Sequence, residues 1–212
     1  MKMKKLLFVL VAGLLANFAA AAETNATPEQ IEAKYTAAIE GRTTDILQIL
    51  ALTDTNKSAK VHDTIMAQYR ALKLWHEEND PKLKAAKADT NATGQIRVSL
   101  KVRHGKFISA LADNLSPEEI EKVKDKMTYG KVQFTFAGYM SAYPNLAEEH
   151  KQKILELLKL AREEAMDGGS AEEKTAIFQK CKGKINNYLS KQGVHQEKKS
   201  KSAQSETNTT AK

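Results

Sequence analysis

Apolar residues recur every three to four positions along almost the whole chain from Pro28 to Lys191, and this periodicity constrains the fold more than any other feature. Such spacing places side chains on one face of an α-helix. The pattern is clearest from Val61 to Trp75 and from Ile154 to Ala165. The sequence therefore predicts an all-α fold, a single compact domain of about six helices over residues 23–193.

Capping residues, glycine and proline mark the ends of these helices. Ser116-Pro117-Glu118-Glu119 predicts a helix start, and Gly130 predicts a helix end. Asp167-Gly168-Gly169 predicts another end, directly before a start signal formed by Ser170 and Glu173. Asn79-Asp80-Pro81 predicts a break or kink, because proline cannot donate a helix hydrogen bond.

The segment around Val132 shows a different pattern. Val132, Phe134 and Phe136 alternate with polar residues, as in a strand. An isolated strand is not stable, so we expect a short irregular aromatic segment near 131–136. A short helix through Tyr139 and Tyr143 should follow it.

The N-terminus has the features of a secretory signal peptide over residues 1–22. Three lysines precede an apolar run from Leu6 to Leu15, and small residues lead up to Glu23. The run is shorter than the about 20 residues that a membrane span needs. No cysteine follows it directly. We expect an exported protein, periplasmic or secreted, that is not a lipoprotein and keeps no integral membrane segment after cleavage.

The net charge of +7 comes mostly from the two ends of the chain. Three of the lysines belong to residues 1–22, and four more lie in residues 194–212, which also lack hydrophobic periodicity. We expect those residues to form a disordered basic tail. Charges in the helical part are interspersed rather than gathered on one face, which argues against nucleic acid as a partner.

Cys181 is the single cysteine of the chain, so an internal disulfide cannot form. It lies four residues from both Ile177 and Ile185. That position on an apolar helix face predicts a buried thiol.

The sequence contains no catalytic motif, so we predict no catalytic residue, no metal site and no cofactor. His76 begins a match to a zinc-protease helix, but Asp80 stands where the second histidine is required. His104 falls on the apolar stripe between Leu100 and Phe107, and we interpret it as a core histidine whose hydrogen bonds are satisfied.

Several aromatic residues have polar neighbours, as in sites that stack on a sugar ring and bind its hydroxyl groups. On this basis the candidate ligand-binding residues are Arg70, Trp75, Tyr129 and Asn187. Packing between helices is the alternative explanation for each of them. The proposed site is a cleft between the 61–78 helix, the 127–139 loop and the last helix.

Four stretches in this order resemble an exported bacterial family catalogued as domain of unknown function 3826. They are Gln68 to Leu72, Val123 to Gly130, Ala161 to Lys174, and Lys182 to Gly193. The resemblance covers the chain up to about Gly193. It implies a helical protein that binds sugar, of a kind best represented among polysaccharide-degrading Bacteroidota. Secondary candidates, all within these stretches, are Tyr69, Asp167, Lys174, Asn186 and Tyr188.

Carbohydrate binding, or a role accessory to polysaccharide use, is therefore the first functional expectation, with a glycan as partner. A small periplasmic helical chaperone is the alternative, because Asn114 to Glu119 is similar to a leucine-threonine element of that class. A polysaccharide-acting enzyme is the second alternative. It would require a base beside a cationic residue in the cleft.

Overall fold

A computed structural model describes residues 26–195, and every regular element in that range is an α-helix. This confirms the all-α prediction, with seven helices where about six were expected. They are α1 (Pro28–Leu50), α2 (Thr55–Ala85), α3 (Thr90–Ala112), α4 (Pro117–Met127), α5 (Lys131–Ala142), α6 (Glu148–Met166) and α7 (Ala171–Lys191). The predicted signal peptide and most of the predicted tail lie outside the described residues.

The chain divides into two units at Ala38. In the first unit, the described residues form the N-terminal part of α1. Thr27 begins it with a reciprocal pair of bonds, since its backbone N–H donates to Gln30 Oε1 at 3.0 Å and its hydroxyl accepts from the N–H of Gln30 at 3.3 Å. The second unit runs from Ile39 onward and holds the rest of the described helices.

One hydrophobic core of the second unit lies where α6 and α7 pack against each other and α5 packs against α6. Ile154 and Leu158 from α6 meet Ile185 and Leu189 from α7, all almost fully removed from solvent. Cys181 is 4% exposed within this core, and its thiol donates to the carbonyl of Leu157 at 3.3 Å. The prediction of a buried thiol is confirmed.

The segment near 131–136 is helical, so the expectation of an irregular segment was wrong. Helix α5 begins directly at Lys131, and its buried side chains are Val132, Thr135 and Tyr139. These positions are three and four residues apart, which is helical spacing. Phe134 breaks the apparent alternation, because its side chain is 79% exposed.

Helix α2 continues through Pro81 to Ala85, so the predicted break is absent. Pro81 cannot donate to the carbonyl of Glu77, one turn earlier. Glu77 is exposed, and water can satisfy its carbonyl there. The missing bond is therefore tolerated on the solvent side of the helix.

Candidate functional site

A pocket of about 440 Å³ lies between α3 and the turn that joins α6 to α7. Helix α3 contributes Arg97, Lys101 and His104. Their spacing of four and three residues places them on one face of the helix. Leu100, from the same face, and Ile177 of α7 supply apolar surface. The pocket therefore combines cationic donors with a small apolar wall.

Carboxylates line the other side of the pocket. Glu163, Glu164 and Asp167 come from the C-terminal end of α6, and Glu173 comes from the first turn of α7. They share the pocket with two lysine or arginine side chains and one histidine. A ligand inside can thus both donate and accept hydrogen bonds.

His104 is held between two of these carboxylates. Its Nδ1 lies 3.0 Å from Asp167 Oδ2, and its Nε2 lies 3.3 Å from Glu163 Oε2. The bond to Asp167, followed by the bond to Glu163, raises the pKa of His104 to about 9. The imidazole is consequently protonated at neutral pH, with both ring nitrogens already bonded. The hydrogen bonds of His104 are satisfied, as interpreted from the sequence, but the ring is partly exposed at the wall of a pocket, so its placement in the core was wrong.

Glu163 is the second anchor of this arrangement. Burial by itself would raise the pKa of Glu163, but the bonds to His104 and Lys124 outweigh it and lower the pKa to about 2. Lys124 Nζ lies 2.9 Å from Glu163 Oε2. The carboxylate therefore stays charged throughout the physiological range.

His76 of α2 holds the α6–α7 turn in position. The Nε2 atom of His76 donates to the carbonyl of Asp167 at 2.8 Å, and its Nδ1 lies 2.9 Å from Asp80 Oδ1. Gly169 lies so close to this ring that a Cβ atom there would come within 2.8 Å of His76 Cγ. The turn can therefore take this position only because residue 169 has no side chain.

Lys174 fixes the same turn from the α7 side. Its ammonium group is buried and donates to the carbonyls of Met127 and Met166, each at 3.3 Å. Burial, with the nearby charge of Arg42, lowers the pKa of Lys174 to about 8. The side chain thereby connects the end of α4 to the end of α6.

Arg162 is a buried cation that the sequence analysis did not single out. It is 2% exposed and forms ion pairs of 2.6 Å with both Glu121 and Asp125 of α4. The available signal was its position four residues after Leu158, on the apolar stripe of α6. A buried arginine with carboxylate partners thus joins α6 to α4.

The candidates on α2 differ in exposure. Trp75 is 5% exposed and donates from Nε1 to Ser99 Oγ at 2.8 Å. Tyr69 is also buried, with the guanidinium carbon of Arg42 6.0 Å from its ring centre. Arg70 is exposed. Packing between helices therefore accounts for the positions of Trp75 and Tyr69.

Two candidates on α7, Asn186 and Tyr188, contact α5 and α6 respectively. Tyr139 donates from its hydroxyl to Asn186 Oδ1 at 2.8 Å. The hydroxyl of Tyr188 lies 2.8 Å from His150 Nδ1. Asn187 is exposed, as is Tyr129 at the α4–α5 junction.

The pocket is thus not the cleft proposed from the sequence. Of the nine candidate residues, all of which the structure describes, Asp167 alone lines it. Ligand binding by the other eight stays a prediction.

Residues 26–195 lack two further features. No group of three or more histidine, cysteine, aspartate and glutamate side chains in that range is arranged to hold a metal ion. No helix within the same residues is long and apolar enough to cross a membrane.

Comparison with known proteins gives one positive result. The family model described as protein of unknown function (DUF3826) matches residues 36–208, well over half of the chain. The match continues 15 residues past Gly193, where the resemblance was expected to end. No curated protein matches the chain.

Proposed function

The chain belongs to the DUF3826 family, and on that premise we propose that it binds carbohydrate in the pocket between α3 and the α6–α7 turn. The polar groups of the pocket suit a polyhydroxylated ligand. Carboxylates accept from hydroxyl groups, while a guanidinium or ammonium group donates to them. Leu100 and Ile177 offer apolar surface for the C–H groups of a sugar ring. The volume of about 440 Å³ falls within the range of about 300–1,000 Å³ typical of small-ligand sites.

The observation that carries the proposal is the double anchoring of His104 by Asp167 and Glu163. It fixes one wall of the pocket before any ligand arrives, which lowers the entropic cost of binding. Both imidazole nitrogens are occupied, so the histidine is not free to act as a general base. A binding role, or one accessory to polysaccharide use, follows more directly from this geometry than catalysis does.

Two residues allow the pocket to be tested without disturbing its anchors. Glu164 and Arg97 line the pocket and are both exposed to solvent. A glycan array would first identify a saccharide that binds the wild type. In titration calorimetry with that saccharide, Glu164→Gln and Arg97→Ala should each weaken binding about tenfold, the value of one charge-assisted hydrogen bond.

The matched control is Glu156→Gln, which changes an exposed glutamate two turns earlier on the same helix. It should bind like the wild type. If Glu164→Gln and Arg97→Ala also bind like the wild type, the saccharide site lies elsewhere.

Arg70, Trp75, Tyr129 and Asn187 stay proposed ligand contacts and can be tested in the same assay. These residues do not line the pocket, so alanine at exposed Arg70, Tyr129 or Asn187 should weaken binding, without unfolding the domain, only if the saccharide occupies the cleft predicted from the sequence. Trp75→Ala tests whether this residue contacts the ligand or serves only in packing between helices. A large loss of thermal stability would mark Trp75 as a core residue.

Exposed apolar side chains favour the chaperone as a second candidate function. Val98 and Val102 are more than half exposed and lie one turn apart on α3, and Phe134 is exposed on α5. Such surface can capture unfolded clients. The chaperone function predicts that the wild type suppresses aggregation of a heated, unrelated enzyme and that V98S/V102S suppresses it less.

A further inference from the structure

A second groove, of about 410 Å³, lies between α2 and α3. At about 100° of rotation per residue, Lys106 lies about 180° around α3 from Arg97 and Arg103 lies about 120° from it, and no residue lines both the groove and the pocket. Both helices contribute small side chains to its walls, including Ala67 and Ala110. The groove is therefore separate from the pocket at the α6–α7 turn.

Two side-chain nitrogens at this groove lack a hydrogen-bond partner. Gln68 is 5% exposed, and its Nε2 is buried without a bond to any described residue. The Nε atom of Arg103, across the groove on α3, is buried and unbonded in the same way. Buried polar groups in proteins are nearly always bonded, so a pair of free donors at one groove calls for an explanation.

The hydroxyl groups that line the groove do not supply the missing acceptors. Thr64 donates to the carbonyl of Lys60 at 2.8 Å. Ser99 donates to the carbonyl of Ile96 at 3.0 Å and accepts from Trp75. Both hydroxyls are thus used within their own helix or for packing.

The charge of the groove defines the missing partner. Arg103 and Lys106 are the charged side chains in the described lining, which includes no carboxylate. A ligand that fits must therefore bring negative charge and hydrogen-bond acceptors. A carboxylate meets both conditions, because its two oxygens can each accept from one of the two donors.

We propose that the α2–α3 groove binds the carboxylate of an acidic saccharide, with Gln68 Nε2 and Arg103 Nε donating to its oxygens and Lys106 balancing its charge. The carboxylate follows from the groove itself. The saccharide that carries it rests on the proposed function.

Substitutions at Gln68 separate binding from folding. Gln68→Glu puts a carboxylate on the wall of the groove that Arg103 and Lys106 also line, where these cations can pair with it, so it should exclude an anionic ligand while the protein still folds. Gln68→Leu removes the donor and leaves no unsatisfied group behind, so it too should fold normally. A residue with a purely structural role would lose stability in both variants. Gln152→Glu adds the same charge at an exposed position on α6 and serves as the control.

Arg103→Lys tests the second donor. It retains the positive charge of the groove but removes the Nε–H group. Affinity should fall below the wild type yet stay above that of Arg103→Ala. Equal affinity for the two variants would show that charge at position 103 has no role.

The probes are tetragalacturonate, neutral galactotetraose and tetraglutamate, each titrated by calorimetry. Tetragalacturonate should bind the wild type and Gln152→Glu, and bind Gln68→Glu at least tenfold more weakly. In nitrogen-15 NMR it should shift the side-chain amide of Gln68 and the Nε–H of Arg103. Galactotetraose should leave both signals unchanged.

Three results would overturn this proposal. They are no binding of tetragalacturonate, equal binding to wild type and Gln68→Glu, and binding of tetraglutamate without tetragalacturonate, which would make the ligand an acidic peptide. The proposed function fails separately. A neutral saccharide whose binding depends on Glu164 but leaves the Gln68 signal unchanged would support the pocket and contradict the groove.

Discussion

His76 and Gly169 approach each other so closely that a side chain at position 169 would overlap the imidazole. An added Cβ atom would lie 2.8 Å from His76 Cγ and 2.9 Å from its Nδ1. The ring cannot withdraw easily, because its Nε2 donates to the carbonyl of Asp167. This contact sets the position of the turn that carries the carboxylates of the pocket.

Gly169→Ala should therefore destabilise the protein by about 1–3 kcal/mol, the usual cost of forcing extra volume into a packed site. Gly183→Ala is the matched control. Gly183 lies inside α7, and a Cβ atom there would meet nothing within 4 Å, so alanine should stabilise the helix by about 0.5–1 kcal/mol. Urea denaturation measures both. A Gly169→Ala protein as stable as the wild type would contradict the close contact.

The raised pKa of His104 makes stability depend on pH. The bonds to Asp167 and Glu163 favour the protonated ring in the folded state. Their contribution is complete below the ordinary histidine pKa of about 6.5 and declines as pH rises toward about 9. We expect the free energy of unfolding to fall by the order of 1 kcal/mol between pH 6.5 and pH 8.

His104→Gln should remove most of this decline, and denaturation at the two pH values measures it. His62→Gln is the comparison at the surface, where Asp63 and then Glu40 also raise the pKa of the histidine, and it should remove a smaller part of the decline because these partners are exposed. The comparison stops at pH 8. Above that value the lowered pKa of Lys174 makes stability rise with pH and obscures the effect of His104. An unchanged decline in His104→Gln would contradict the role of this histidine.

Arg162 should contribute more to stability than any exposed ion pair. Replacing it with methionine removes both ion pairs, but Glu121 and Asp125 are partly exposed and can bind water, so the expected cost is about 2–3 kcal/mol. Arg162→Lys should recover little of this, because one ammonium cannot bond both carboxylates with the geometry of a guanidinium. Lys153→Ala, which breaks an exposed pair with Glu156, should cost less than about 1 kcal/mol. Equal costs for positions 162 and 153 in urea denaturation would refute this role.

Ala51 ends α1 in a left-handed conformation, with φ of 50°. Its N–H still donates to the carbonyl of Leu47 at 3.0 Å. Glycine adopts this conformation without strain, so Ala51→Gly should stabilise the protein by about 1 kcal/mol. Gly130 has φ of 61°, and Gly130→Ala should cost a similar amount. In thermal denaturation we expect the melting temperature to rise in Ala51→Gly and to fall in Gly130→Ala. A lower melting temperature in Ala51→Gly would argue against strain at residue 51.

Local features of the fold could be predicted because their causes lie within a few residues. Ser116 and Glu119 form the expected reciprocal pair, with bonds of 3.2 and 2.9 Å between side chain and backbone. The error at residues 131–136 has a local cause as well. Three aromatic or apolar residues in alternation outweighed the helical spacing of Val132 with Thr135, whose burial depends on packing against distant helices.

The pocket could not be predicted in this way, because its contacts join distant parts of the chain. His104 and Asp167 are 63 residues apart, and His76 and Asp167 are 91 residues apart. The family resemblance brought in Asp167 but gave no partner for it. The pair of glycines after Asp167 suggested only a helix end, whereas the second glycine is also required by the ring of His76.

The most direct test of the account is a glycan array probed with the chain from residue 23 onward, alongside the double variant R97A/E164Q. We predict that the wild type binds one class of saccharide reproducibly and that the double variant loses this binding while keeping its thermal stability. An array without binding by the wild type, or equal binding by both proteins, would contradict carbohydrate binding in the pocket between α3 and the α6–α7 turn.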